Sequence, residues 1–174
     1  MSRVLYLVVC GAGPAERVAE MIDLARQEGW DTYCIVTAAA AEYFVDLDEL
    51  RKVSGHQVRT TYRVEGDEAV PPADAVIVAP ATYNTINKWA AGIADNYALS
   101  QLAELTGAGV RIVAVPFVNQ ALAANAVFVR SVESLRAAGV RVLFGPGEFE
   151  PHPPRTGGSA VASFPWSMAL RAAA

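Results

Sequence analysis

Short runs of hydrophobic residues recur along the chain, and each is long enough for one β-strand. Four of them are continuous in β-branched and other apolar side chains; they lie at residues 4–9, 32–36, 75–79 and 111–115. Continuous apolar runs of this length are typical of parallel strands that are covered on both faces. Weaker runs at residues 57–63 and 140–144 add one or two further strands.

Helical patterns separate these runs. Residues 15–28, 84–94 and 127–138 repeat their hydrophobic side chains every three or four positions, as an amphipathic helix does. Because strands and helices alternate, the sequence predicts an α/β fold. It is a Rossmann-like, doubly wound parallel sheet of five or six strands, with helices on both faces.

The last part of the chain differs in composition from the rest. After Phe144, glycine and proline become frequent, and the periodic hydrophobic pattern stops. A chain of 174 residues has room for one compact domain. We therefore expect a main domain at residues 1–145, with residues 146–174 as a loop, lid or arm of the same domain.

Composition and charge exclude several classes of function. Charged residues make up only 18% of the chain, below the roughly 25% of typical soluble domains, which favours a surface partly covered by other subunits. The net charge of −4 and the lack of a Lys/Arg cluster argue against nucleic-acid binding. No apolar run approaches the roughly 20 residues that span a bilayer, and no secretory signal precedes the first strand, so we expect a cytoplasmic protein. Cys10 and Cys34 lie in predicted strands, where they fill the core rather than form a disulfide or bind metal.

A ligand should bind where the parallel strands end, because turns and helix starts meet there. Gly11-Ala12-Gly13 follows the first strand and would admit a phosphate, although it could also be only a tight turn. A dinucleotide site is disfavoured, since Glu16 stands where that fingerprint has its third glycine. Thr37, after the second strand, suits either a second phosphate contact or a helix cap.

The third strand is followed by four consecutive side chains that can form hydrogen bonds. These are Thr82, Tyr83, Asn84 and Thr85. Capping a helix needs only one or two such groups, so a polar planar ligand is the better interpretation. Asn119, after the fourth strand, either caps the next segment or contacts a substrate.

The residues at these strand ends resemble a known family. Pro80-Ala81-Thr82-Tyr83-Asn84-Thr85 is similar to the Pro-Ala-Ser-Ala-Asn-Thr motif of the homo-oligomeric flavin-containing cysteine decarboxylases. These include phosphopantothenoylcysteine decarboxylase and the lantibiotic peptidyl-cysteine decarboxylases. Residues 86–97 resemble the helix of that family. Residues 116–123 keep the proline and asparagine of its Pro-x-Met-Asn-x-x-Met-Trp motif. The similarity covers most of residues 3–145.

The resemblance implies FMN as the cofactor and a small thiol or a peptide carboxyl terminus as the substrate. It implies that the turn of Gly11, Ala12 and Gly13 holds the FMN phosphate together with Thr37. Thr82, Tyr83, Asn84 and Thr85 would then cradle the flavin and its ribityl chain. By the same analogy Asn119 faces the substrate. Enzymes of this family assemble as trimers or larger shells with FMN at subunit contacts, so we expect a homotrimer or a higher homo-oligomer.

The chain departs from the family at its acid–base residue. The catalytic histidine of the family falls on Gly66, which cannot transfer a proton. In the family this imidazole acts while flavin oxidises the cysteine side chain, after which carbon dioxide leaves. Asp67 and Glu68 beside the lost position, or His152 in the tail, are candidate replacements. Asp67 and Glu68 could instead be solvated acids of a loop, and His152 could be only a turn residue. We expect His56 to lie at the surface.

Three functions follow from this combination. The first is an FMN-dependent oxidative decarboxylase or a related flavin oxidoreductase. It would be similar to the peptide-modifying branch, since no cysteine after Cys34 is present for the pantetheine reaction. The second is a non-catalytic FMN-binding protein or an inactive partner of an active homologue. The third is a flavin prenyltransferase-like protein, which is disfavoured because only Lys88 and Arg155 could meet a prenyl phosphate.

Overall fold

The computed structural model describes residues 3–174. Its centre is one sheet of five parallel strands in the order β2-β1-β3-β4-β5. The strands are β1 (Arg3–Val9), β2 (Trp30–Val36), β3 (Ala75–Ala81), β4 (Arg111–Pro116) and β5 (Arg141–Val142). This order is the flavodoxin-like variant of a doubly wound sheet, so the predicted Rossmann-like fold is confirmed.

Helices cover both faces of the sheet. They are a 3-10 helix at Gly13–Arg17 and then α1 (Val18–Gln27), α2 (Ala38–Tyr43), α3 (Leu47–Ser54), α4 (Tyr83–Ala90), α5 (Tyr97–Gly107), α6 (Gln120–Ala123), α7 (Ala126–Ala137), α8 (Gly157–Val161) and α9 (Trp166–Ala173). The three helical patterns of the sequence correspond to the 3-10 helix with α1, to α4 and to α7. Helix α4 ends at Ala90, before the predicted Ala94, because Gly92 follows with a φ of +73°.

The core has two layers, one on each face of the sheet. Leu5, Leu7 and Val9 of β1 point towards α1, α3 and α9. The alternate residues of β1 belong to the other layer, which α4, α5 and α7 cover. Cys10 and Cys34 are both free and buried, as the sequence predicted, and burial raises the pKa of the Cys34 thiol to about 12.

Two weaker strand predictions need correction. Strand β5 contains only Arg141 and Val142, although the apolar pattern extends over residues 140–144. Residues 57–63 form no strand: Arg59 makes a single parallel bridge to Ile35 of the edge strand β2. The sheet therefore has five strands rather than six.

The glycine- and proline-rich tail contains two helices that its composition did not predict. Trp166 and Leu170 of α9 are buried in the layer that also holds α1. Phe149, which precedes α8, and Phe164, between α8 and α9, join the same layer. The division of the domain at residue 145 stays a prediction. Within residues 3–174, no helix has the length and apolarity needed to cross a membrane.

Candidate functional site

Backbone hydrogen bonds hold the carboxyl ends of the strands together. The Cys10 N–H donates to the Pro80 carbonyl at 3.1 Å. The Thr37 N–H donates to the Val9 carbonyl at 3.0 Å, and the Phe117 N–H donates to the Ala81 carbonyl at 2.9 Å. The turns after β1, β2, β3 and β4 therefore meet at the carboxyl-terminal end of the sheet, which is where the sequence predicts a ligand.

A helix begins in each of these turns. The 3-10 helix starts at Gly13, and α2, α4 and α6 follow the caps Thr37, Thr82 and Asn119. The first N–H groups of a helix have no partner within the helix and carry its positive end. This end of the sheet is therefore rich in backbone donors, which suits an anionic group.

The glycine turn after β1 is closely packed on two sides. A Cβ atom at Gly11 would lie 2.8 Å from Ala39 Cβ and 3.1 Å from the Ala39 backbone carbon. A Cβ atom at Gly13 would lie 2.8 Å from Cγ2 of Val161, which belongs to α8. Only glycine fits at either position without a shift of its neighbours, so the turn forms a cradle between α2 and the tail.

The threonines of the third turn form a hydrogen-bonded pair. Thr82 Oγ1 accepts from the Thr85 N–H at 3.2 Å and its hydroxyl donates to Thr85 Oγ1 at 3.1 Å. The Cys10 thiol also donates to Thr85 Oγ1, at 3.4 Å. Thr85 is only 4% exposed, and its buried hydroxyl orients the Thr82 hydroxyl by accepting its hydrogen bond. Thr82 itself is half-buried.

Tyr83 and Asn84 have different environments. The Tyr83 ring stacks on Phe128 of α7 with the ring centroids 5.7 Å apart, so this side chain packs between helices. Asn84 is exposed at the start of α4. Thr37 caps α2, where its Oγ1 accepts from the Ala40 N–H at 3.4 Å. Of the four consecutive polar residues, Thr82 and Asn84 are therefore the ones most available to a ligand.

The structure brings Asn119 and His152 together. They form an isolated parallel bridge, in which the Gln120 N–H donates to the His152 carbonyl at 2.8 Å. Asn119 Oδ1 caps α6 by accepting from the Leu122 N–H at 2.9 Å. The tail therefore carries an imidazole to the end of β4, which sequence reasoning considered only as one alternative.

The His152 ring has an apolar and crowded environment. Its centroid lies 4.7 Å from that of Phe117, and its Nε2 lies 3.3 Å from the place of a Cβ atom at Gly157. Nδ1 is buried, with no hydrogen-bond partner among the described residues. Desolvation lowers the pKa of His152 below its usual 6.5, so the imidazole is neutral at neutral pH and can accept a proton.

The two acidic candidates lie elsewhere, beside the edge strand β2. Arg59 donates to the Asp67 carboxylate and to the Glu68 carbonyl. Hydrogen bonds from the Val64 N–H and the Gln57 side chain, together with the Arg59 guanidinium, lower the pKa of Asp67 to about 2. Asp67 is thus held as a carboxylate in an ion pair, rather than solvated as the loop composition suggests.

His56 is the residue whose environment the sequence did not reveal. Its side chain is only 18% exposed and its ring contacts two carboxylates, although we expected it at the surface. Gly66, in contrast, is exposed in its loop with a φ of +91°. No group of three or more His, Cys, Asp or Glu side chains between residues 3 and 174 could hold a metal ion.

The sheet topology and the donor-rich strand ends define a class of nucleotide-binding α/β proteins. The family model Flavoprotein matches residues 2–159, and the chain therefore belongs to the Flavoprotein family. The family resemblance inferred from the sequence is thereby confirmed. No curated protein matches the sequence.

Solved structures with the same fold include two described as FMN-dependent cysteine decarboxylases. SpaF is 25% identical with a TM-score of 0.72, and the match covers 98% of both chains. TvaF, from thioviridamide biosynthesis, is 25% identical with a TM-score of 0.73, covering 98% of this chain and 97% of that one. AnUbiX, solved with FMN and dimethylallyl pyrophosphate, is 18% identical with a TM-score of 0.68 and covers 82% of this chain and 77% of its own, a likeness that extends to the fold alone. The predicted cofactor, FMN, is the one named for these structures.

The residues at the strand ends fit a flavin nucleotide. The space beside Gly11 and Gly13 is filled by Ala39 and Val161, so the groups that a phosphate would meet here are the N–H donors at the helix starts. Thr37 and Thr82 add hydroxyl groups, and Asn84 adds an exposed amide. This set suits a phosphate joined to a polyol and a planar ring with polar edges.

Proposed function

We propose that this protein is an FMN-dependent enzyme. It catalyses the oxidative decarboxylation, or a related oxidation, of a small thiol or a peptide carboxyl terminus. The observation that carries the proposal is the position of His152 beside Asn119 at the end of β4. It provides an imidazole next to the residue that, by family resemblance, faces the substrate, although Gly66 has replaced the family's own histidine.

FMN would occupy the carboxyl-terminal end of the sheet, where the four turns meet. Gly11, Ala12, Gly13 and Thr37 would hold its phosphate through backbone N–H groups and one hydroxyl. The residues that follow β3, namely Thr82, Tyr83, Asn84 and Thr85, would hold the ribityl chain and the ring, with Thr85 acting through Thr82. When bound, FMN supplies the ability to take two electrons from the substrate.

The protein's own groups would bind the substrate and move its proton. Asn119 uses Oδ1 to cap α6, and its amide nitrogen is the group that would donate to a substrate carbonyl or carboxylate. His152 would accept the thiol proton, because its neutral imidazole is free to take one. Asp67 is a weaker candidate for this role, since Arg59 and Gln57 hold it as a carboxylate beside β2.

A second candidate is an FMN-binding protein without catalysis, either a carrier or the inactive partner of an active homologue. The observation that favours it is the exposure of Gly66, whose φ of +91° also strains any residue with a side chain. A prenyltransferase-like function has less support. Lys88 is paired with Asp95, which leaves Arg155 as the exposed basic candidate named above.

The test is anaerobic mixing of the FMN-loaded protein with free thiols and peptides that end in cysteine. We expect the visible flavin absorbance to bleach with at least one carboxyl-terminal cysteine peptide, and carbon dioxide to form with it. The same peptides with a carboxyl-terminal amide serve as controls, because they cannot lose carbon dioxide. An unchanged flavin spectrum across the whole panel would leave the non-catalytic function.

We also propose that the protein assembles as a homotrimer or a larger homo-oligomer in the cytoplasm. Exposed apolar side chains on α6 and α7, namely Leu122, Val127 and Val129, support a covered surface there. The low charged fraction of the chain points in the same direction. Light scattering coupled to size-exclusion chromatography tests the assembly, and a monomer at micromolar concentration would contradict it.

A further inference from the structure

His56 lies between two carboxylates that belong to different parts of the chain. Its Nε2 is 2.6 Å from Asp31 Oδ1, near the start of β2, and its Nδ1 is 2.9 Å from Glu68 Oε1. The ring also stacks on Tyr33 of β2, with the centroids 3.9 Å apart and the planes 19° from parallel. Both ring nitrogens therefore face acceptors, and one ring face is covered.

A second ion pair, between Arg59 and Asp67, lies beside the same edge strand, β2. Arg59, only 6% exposed, donates to the Asp67 carboxylate and to the Glu68 carbonyl. Gln57 contacts both acids: its amide nitrogen donates to Asp67 at 2.9 Å, and its N–H donates to Glu68 at 2.9 Å. We call Asp31, His56, Arg59, Asp67 and Glu68 the edge cluster.

The edge cluster attaches a long loop to the sheet. Residues 62–70 lie between the Arg59 bridge and β3, and residues 61–66 are exposed. The loop is attached at its other end by Tyr62, whose hydroxyl is 2.6 Å from the Ser100 hydroxyl. Between these two attachments lies Gly66, the position where the resemblance places the acid–base residue of related decarboxylases.

We propose that protonated His56 is a positioning clamp that tightens loop 62–70 against the edge strand β2 through Glu68, and that loss of its proton loosens this attachment. The clamp needs both ring nitrogens as donors, because Asp31 and Glu68 are acceptors when ionised. A neutral imidazole has one N–H, so one carboxylate then faces a lone pair. Glu68 is the partner on the loop, and Arg59 and Gln57 keep their own bonds to the loop in either state, so loss of the proton weakens the attachment without removing it.

The charges around His56 favour this response to pH. Burial opposes its charged form, but hydrogen bonds to Asp31 and Glu68 outweigh that effect and raise the pKa of His56 above its usual 6.5. Tyr33 of β2 also faces His56, since it stacks on the ring, whereas Asp67 and Arg59 of the cluster pair with each other. The clamp is therefore at full strength below pH 6.5, and it weakens as the pH rises through the higher folded-state pKa of His56.

The protein contains only two histidines, which makes the titration direct to measure. In proton NMR, the imidazole resonance that disappears in H56F identifies His56. We expect the pH midpoint of the His56 titration to lie above 6.5 in the wild type and to be lower in D31N. E65Q, which changes an exposed acid of the same loop, is the matched control and should leave the midpoint unchanged.

Hydrogen exchange then tests the clamp itself, without FMN or substrate. After correction for intrinsic exchange, we expect the protection of the Gln57, Val64 and Glu68 amides, which are bonded across the cluster, to fall about tenfold when the pH passes the His56 midpoint. Amides of α5 should not change. Protection that stays constant across the titration, or a wild-type midpoint at or below 6.5, would overturn the proposal. Because no catalysis is measured, a failure here is distinct from a failure of the proposed function.

Discussion

Asn119 and His152 lie side by side at the end of β4, joined by a hydrogen bond from the Gln120 N–H to the His152 carbonyl at 2.8 Å. This hydrogen bond fixes the backbone of the tail at His152. The ring packs on Phe117, and its Nδ1 is buried without a partner among residues 3–174. This relationship is the basis for proposing His152 as the proton acceptor.

Replacing His152 with glutamine should remove the proton acceptor while retaining a polar side chain of similar reach. We expect the rate of flavin reduction by a reactive substrate to fall about 100-fold or more in H152Q, with the dissociation constant of FMN unchanged. Because the pKa of His152 lies below 6.5, the wild-type rate should fall only on acidification below that value. Anaerobic stopped-flow absorbance at several pH values measures both effects.

D67N is the matched comparison for that experiment. Asp67 is the other proton carrier predicted from the sequence, but Arg59 holds it beside β2. We expect D67N to reduce flavin at nearly the wild-type rate. A large loss in D67N together with a normal rate in H152Q would reverse the two assignments.

The glycine turn should respond differently at its two glycines. G13A introduces a methyl group 2.8 Å from Val161 Cγ2, which should lower the free energy of unfolding by about 1–3 kcal/mol. The double variant G13A/V161A should recover most of the part due to this clash, because the obstructing atom is the end of a side chain. Chemical denaturation of the two single variants and the double variant measures this coupling.

G11A provides the contrast. Its new methyl group would meet both the Cβ atom and the backbone of Ala39, so no side-chain truncation can relieve the contact. We expect G11A to be at least as destabilised as G13A and to lose FMN affinity as well, since the shift would move α2 and its cap Thr37. If G11A keeps wild-type stability and affinity, the close approach between the turn and α2 is not needed.

Asp67 should contribute to stability only above a defined pH. Its pKa is about 2 in the folded protein and near 3.8 when unfolded, so its ionised form is stabilised by folding. That contribution is fully present above about pH 4 and is lost as the pH falls through 2. D67N should therefore be less stable than the wild type at pH 6, and the difference should shrink towards pH 2. Urea denaturation at each pH tests this, and a difference independent of pH would contradict it.

The sequence predicts the architecture of this protein well because its signals are local. Continuous apolar runs identify β1 to β4, and the glycine and polar turns that follow them identify the end of the sheet where a ligand should bind. The cap at Thr82 acts on the Thr85 N–H, only three positions along the chain. Such features can be predicted before the strand order is known.

The environments of the two histidines could not be predicted in this way. His56 meets Asp31 and Glu68, which are 25 and 12 positions away, and His152 reaches Asn119 through the path of the tail. Helix α9 was also missed, because its short amphipathic pattern follows a glycine- and proline-rich segment. These contacts depend on the tertiary fold, which no local pattern encodes.

The central claim is that FMN binds where the turns after β1, β2 and β3 meet, and calorimetric titration of the purified protein with FMN tests it most directly. G11A and T82V are measured in parallel, together with E28Q as a control, because the exposed Glu28 precedes the start of β2, at the opposite end of the sheet. We predict saturable binding of one FMN per chain, weakened at least about tenfold in G11A and T82V and unchanged in E28Q. A protein that is purified without flavin and binds no FMN, or one whose affinity is the same in all variants, would contradict the account.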